Sequence, residues 1–265
     1  MCRLVAYIGK NIPLENIIVR PKNSLLYQSQ DAQESELSVN GDGFGIAWYD
    51  GEQAPGLYKD VLPAWSDDNL PSICRLVKSG LFIAHVRAST FGATARENCH
   101  PFIFRNWTFA HNGGIGQFVV IRREIESRLE DVYYDARRGS TDSELFFLLL
   151  LHNGLEQNAK MAIERSIQQV NELLEEKRAL EAPVRLTCVF SNGDKIFGFR
   201  YASDNKSPTL YVSGSLDHGG RAIASEPLHG TSEQWQEIQP GHLIEISMNK
   251  VCQSVVAIGE EMQVA

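Results

Sequence analysis

The order of the secondary-structure signals predicts an α+β fold, with helices packed against sheets rather than interleaved with them. Strand-like segments dominate the first half, helical periodicity the middle, and strands return after Pro183. That block order differs from the alternation of a βαβ chain. No Pro-, Gly- or Ser-rich linker interrupts it, so residues 1–265 are expected to form one domain with an ordered core over 2–257.

The elements follow in turn. Residues 3–8 are the first strand candidate, and residues 43–49 the second, entered through the turn formers Asn40, Gly41 and Asp42. Residues 81–87 and 107–111 are the third and fourth. Thr141 followed by Glu144 has the spacing of a capping box and opens a helix over residues 145–151, which Asn153 and Gly154 stop. A second helix is expected from near Leu155. Its apolar face is Ile163, Ile167, Val170 and Leu174, at three- and four-residue steps. Asn192-Gly193 between residues 184–190 and 195–201 is a hairpin signal. Residues 209–213, 222–225 and 243–247 continue the strands.

Composition excludes several function classes. The net charge of −8 leaves no basic stripe for nucleic acid. The longest apolar run, residues 145–151, is far shorter than a membrane span. Lys10, Asn11, Pro13 and Glu15 break any secretory h-region. The five cysteines are odd in number and widely spaced, without a Cys-x-x-Cys pair, which points to a reducing cytoplasm. Cys74, Cys188 and Cys252 read as residues without chemistry. His85, His100 and His111 lack an H-E-x-x-H spacing, so neither metal nor cofactor is expected. The glycines of residues 40–45 lead into a strand, not a helix, which rules out a dinucleotide loop.

The chemistry begins at Cys2. A residue this small allows the preceding methionine to be clipped, leaving a thiol and a free α-amine on one residue. The amine titrates at about 7.7–8.0, so it can take the thiol proton near neutral pH. A cysteine there by chance, on a buried strand, is the plainer alternative. Arg87 ends a strand and can offer its fork to a carboxylate, or a surface ion pair. Asn112 and Gly113 offer two N–H donors suited to an oxyanion, or merely a turn. Asp142 stands in the first turn of a helix, where the dipole favours it and where it can hold an ammonium. Glutamine carries an α-carboxylate, an α-ammonium and a side-chain amide, and this set answers all three.

As a set, Met1-Cys2-Arg3 and residues 40–45, 85–90, 111–113 and 141–144 resemble the class II glutamine amidotransferases, with residues 224–228 a later match. That family consists of N-terminal-nucleophile hydrolases. The resemblance implies a four-layer αββα sandwich with the nucleophile at a strand start. It implies the roles above for Cys2, Arg87, Asn112, Gly113 and Asp142, and substrate binding by Thr90 and His111. Residues 98–102 also look family-like and read as structural. The implied reaction is hydrolysis of the γ-glutamyl amide of glutamine or of a γ-glutamyl conjugate, through a Cys2 thioester. Residues 24–29 and 40–49 look most like the stand-alone branch, which includes the γ-glutamyl hydrolases of ergothioneine synthesis. Two alternatives stay open. One is a glutaminase subunit feeding ammonia to a separate synthase. The other is an idle binding module, which would have lost a core residue; none is missing. A synthase partner and a homo-oligomer are both compatible with the sequence.

Overall fold

The computed structural model describes residues 2–35, 37–52, 54–89, 93–228 and 234–258. The chain runs β1 (Arg3–Pro13), α1 (Glu15–Ile18), α2 (Leu25–Gln30), β2 (Phe44–Tyr49), β3 (Gly56–Asp60), α3 (Leu70–Leu76), β4 (Lys78–Val86), β5 (Phe102–Phe104) and β6 (Trp107–Ile115). It continues through α4 (Phe118–Arg128), α5 (Asp131–Tyr134), α6 (Asp142–His152), α7 (Ala159–Glu176), β7 (Val184–Ser191) and β8 (Ile196–Ala202). The last strands are β9 (Tyr211–Ser213), β10 (Arg221–Ala224), β11 (Trp235–Glu237), β12 (His242–Ile246) and β13 (Val251–Val255).

Two antiparallel sheets result, ordered β11-β9-β10-β1-β4-β2-β3 and β13-β12-β8-β7-β6-β5. Alternation along the strands decides the layers, because successive side chains point to opposite faces. Leu4, Ala6 and Ile8 of β1 pack with Ile83, Ala110, Val189 and Ile244 between the sheets. Val5 and Tyr7 face the other way, onto Ile17, Leu25 and Leu70 of the short helices α1 to α3. Phe109, Leu186 and Phe190 of the second sheet face Leu145, Phe147, Ile163 and Ile167 of α6 and α7. The order helix, sheet, sheet, helix is the αββα sandwich.

Several elements differ from the sequence reading. Helices α1 to α3 are only four, six and seven residues long, too short to repeat a periodic face. Helix α7 starts at Ala159, capped by Asn158, whose side chain accepts from Met161 N at 3.1 Å. Leu155 is instead a buried residue of the loop before it. The capping box at α6 is half formed. Thr141 Oγ1 accepts from Glu144 N at 3.2 Å. The Glu144 carboxylate turns to Arg138 N (3.0 Å) and Gly139 N (2.6 Å). Among the described residues no helix is long and apolar enough to cross a membrane.

Candidate active site

The start of β1, the chain just after β4, the second half of β6 and the start of α6 carry the candidate residues. Cys2 shares the parity of Leu4 and Ala6, so its side chain belongs to the layer between the sheets. His85 lies opposite Leu4 on β4 and has the parity of Leu81 and Ile83, which face the same layer. Across that layer, Asn112 of β6 has the parity of Ala110. At this end the layers part around a cavity of about 410 Å³, and Cys2, Arg87, His111, Gly113 and Asp142 all line it.

Cys2 is half-buried. Its sulfur accepts from Ala88 N and donates to Ala88 O, both at 3.3 Å. Burial pushes the thiol above its ordinary range, against the pull of the Ala88 hydrogen bond and the charges of Arg87 and Arg3. The thiol therefore stays protonated at neutral pH and needs a base to react.

Arg3 fixes where Cys2 sits. Its Nε donates to Cys2 O at 2.7 Å, and its Nη1 to Glu34 O and Glu226 Oε1, both at 3.2 Å. The Arg3–Glu226 pair is fully buried. Glu226 also accepts from Gln33 N (3.2 Å) and Glu34 N (3.0 Å). Removing one partner of such a pair leaves the other charge uncompensated. Glu226→Gln is expected to destabilise the fold by about 3–5 kcal/mol, read as a shift of the denaturant midpoint.

The glycine-rich turn of residues 40–45 braces Arg87. Asp42 N donates to Arg87 O at 2.9 Å, and Arg87 N to Gly43 O at 2.8 Å. Asp42 Oδ2 accepts from Ser89 N at 2.7 Å, and Arg87 Nη1 reaches Asp42 O at 3.5 Å. Thr90 and Met1 lie outside the described residues.

On the opposite wall, Asp142 Oδ2 accepts from Ile115 N at 2.8 Å, and Oδ1 from Ser143 N at 2.9 Å. These neutral N–H groups orient the carboxylate without neutralising it. His111 lines the cavity, but protein groups occupy both its nitrogens. Nδ1 lies 2.8 Å from Ser143 Oγ, and Nε2 donates to Arg185 O at 3.2 Å. Burial holds its ring below the usual histidine range, although Asp142 raises it. Gly113 has φ +125°, and a Cβ there would collide with the Arg185 carbonyl, so glycine is required. Asn112 is fully buried, and its Nδ2 donates to Ser225 Oγ at 2.9 Å. Ser225 Oγ also accepts from Leu4 N at 2.9 Å, which ties Asn112 to the start of β1.

Sequence reasoning gave no role to Ser225, Glu226 and Ser143, and read His100, which lines the cavity, as structural. The first two stand in residues 224–228, where only a likeness was noticed. Ala88 acts through its backbone, which no side-chain pattern can signal. Asn98 serves structurally: its side chain donates to Ala93 O and accepts from Ser140 N, both at 2.9 Å. Among the described residues no group of three or more His, Cys, Asp or Glu side chains is placed to hold a metal ion.

Residues 19–212 match the family model of the class II glutamine amidotransferases, a span that leaves out Cys2. The chain is 31% identical to a probable glutamine amidotransferase of Saccharomyces cerevisiae, over 95% of this chain and 83% of that protein. It is 25% identical to the γ-glutamyl-hercynylcysteine sulfoxide hydrolase of Mycolicibacterium smegmatis, over 93% and 96%. A glutamine aminotransferase class II domain protein of Silicibacter pomeroyi superposes with TM-score 0.76 at 36% identity, over 97% of this chain and all of that one. Glutamine phosphoribosylpyrophosphate amidotransferase of Bacillus subtilis shares the fold, with TM-score 0.67 at 17% identity, over 98% of this chain and 50% of that one. On this evidence the chain belongs to the class II glutamine amidotransferases.

Proposed function

We propose that the protein hydrolyses the γ-glutamyl amide of a small γ-glutamyl conjugate, or of glutamine itself, through a thioester on Cys2. The supporting observation is that Cys2 lines one cavity with Arg87, Gly113 and Asp142, while Asn112 is tied to the start of β1 through Ser225. Removal of Met1 turns the Cys2 nitrogen from an amide into a free amine. That amine takes the thiol proton as Sγ attacks the amide carbon. One N–H of Asn112, beyond the one given to Ser225, and the Gly113 N–H hold the oxyanion. The proton passes to the leaving amine, the C–N bond breaks, and water then cleaves the thioester to release glutamate. Arg87 takes the α-carboxylate and Asp142 the α-ammonium. Thr90 belongs to the same substrate-binding set. His111 forms part of the cavity wall and holds Ser143 beside Asp142.

The volume suits a molecule larger than ammonia on the leaving side, since about 410 Å³ falls in the range of small-molecule sites. Ile115, Phe118, Val119 and Pro183 add apolar groups to the cavity lining. The Mycolicibacterium relative, similar over nearly its whole length, also favours a conjugate. The composition fits a reducing cytoplasm as the setting. The alternative is ammonia supply to a separate synthase. A panel of γ-glutamyl compounds, followed by mass spectrometry, separates the readings. Conjugate hydrolysis predicts free glutamate and amine from a conjugate faster than from glutamine. Turnover of glutamine alone would favour ammonia supply, and binding without turnover would overturn both.

Asn112→Ala is expected to lower kcat by on the order of 10²–10³ with little change in KM, because the charge it meets develops in the transition state. Steady-state kinetics decides. Unchanged kcat with weakened binding would remove Asn112 from the oxyanion site.

A further inference from the structure

Beside the cavity lie two histidines for which the proposed reaction has no use. The His85 and His100 rings lie tilted by 34° with centroids 4.2 Å apart, and Phe102 meets His100 edge-on at 4.6 Å. His85 is fully buried. None of the four ring nitrogens has a hydrogen-bond partner of good geometry. Buried polar groups are rarely left so, and each such group calls for a reason. A second orphan stands nearby: Asn112 Oδ1, a buried acceptor without a partner. The polar groups against the His85 ring are the His111 backbone and the Asn112 side chain. The His85 ring, which in its neutral form carries one N–H, thus lies against the side chain that holds an orphan acceptor.

We infer that His85 is a positioning residue: a ring N–H of neutral His85 donates to Asn112 Oδ1 and so fixes which way the Asn112 amide points. The inference rests on the oxyanion role proposed for Asn112. With Oδ1 held by His85 and one N–H held by Ser225 Oγ, the second N–H of Nδ2 is left for the carbonyl under attack. If the amide turned over, Nδ2 would face His85 and Oδ1 would face Ser225. The oxyanion would then lose its side-chain donor. Ser225 alone cannot choose between the two orientations, because a hydroxyl both donates and accepts. Only His85 as a donor breaks the tie. Burial keeps its ring neutral, pushing its pKa down to about 3, and the His100 ring, itself backed by Phe102, packs against it.

The test uses mature enzyme with a γ-glutamyl anilide as substrate and iodoacetamide as a probe of Cys2. Alkylation by iodoacetamide displaces iodide at a saturated carbon and develops no oxyanion, so it reports thiol placement alone. His85→Phe keeps the aromatic volume and removes both nitrogens. It is expected to lower kcat by on the order of 10- to 100-fold, with KM and the alkylation rate within a few-fold of wild type. His85→Gln, which restores a donor, should recover most of the loss. In an Asn112→Ala background, His85→Phe should cost nothing further. Should His85→Phe fail to fold, His85→Leu, which likewise has no donor, carries the same expectation. Equal losses in kcat and alkylation, or full additivity with Asn112→Ala, would overturn the inference while leaving the oxyanion assignment intact. An Asn112→Ala enzyme with unchanged kcat would overturn both.

Discussion

Cys2→Ala protein is expected to fold like the wild type and to release no glutamate from any γ-glutamyl compound. The expectation is extreme because, in the proposed mechanism, the thiol sulfur is the atom that forms and breaks the covalent bond. Losing a nucleophile that works with a base costs on the order of 10⁶ in kcat. The fold should tolerate the change. Cys2 is half-buried, and among the described residues its sulfur hydrogen-bonds only to the Ala88 backbone, twice at 3.3 Å. A shift in stability of less than about 1 kcal/mol follows. Alanine is also small enough to let Met1 be removed, so the terminal amine survives and the loss belongs to the thiol. Turnover together with denaturant unfolding checks this, and appreciable residual hydrolysis by well-folded Cys2→Ala would contradict the assignment.

The second large effect concerns the glutamyl end of the substrate. Arg87 and Asp142 line the cavity with Cys2, and each is held by neighbouring backbone: Arg87 by Gly43 and Asp42, Asp142 by Ile115 and Ser143. Their positions are therefore set before substrate arrives. A substrate with its α-amine acylated loses its pairing with Asp142, and one with its α-carboxylate amidated loses its pairing with Arg87. Leaving one member of such a pair uncompensated costs roughly 2–5 kcal/mol. That is about thirty- to several-thousand-fold in kcat/KM. Asp142→Asn should narrow the gap between free and acylated amines, and Arg87→Ala the gap at the carboxylate. Specificity constants for γ-glutamyl anilides blocked at each end in turn decide the matter. A change of only a few-fold would remove Arg87 and Asp142 from the glutamyl pocket.

What the sequence carried plainly was local. The Thr141 start of α6, the Asn192-Gly193 hairpin and the apolar face of α7 all declare themselves within a few residues. Helix α6 itself has no polar face, since residues 143–151 are buried on every side, so its cap marked it where periodicity could not. Helix α4 carries Phe118, Ile121 and Ile125 on one face, a spacing present in the sequence but passed over. The candidate residues were legible as residue types, and five of them, Cys2, Arg87, His111, Gly113 and Asp142, line one cavity. The supports were not legible. The Arg3–Glu226 pair spans 223 residues and the Asn112–Ser225 bond 113, and no local pattern records contacts so remote.

The central claim is that a free N-terminal cysteine is the nucleophile. Intact-mass and peptide mapping of active enzyme, treated with a glutamine-like electrophile, tests it most directly. The account predicts a chain without Met1, carrying one adduct, on Cys2. Full activity with Met1 retained, or an adduct on the buried Cys74 or Cys99 in place of Cys2, would contradict it.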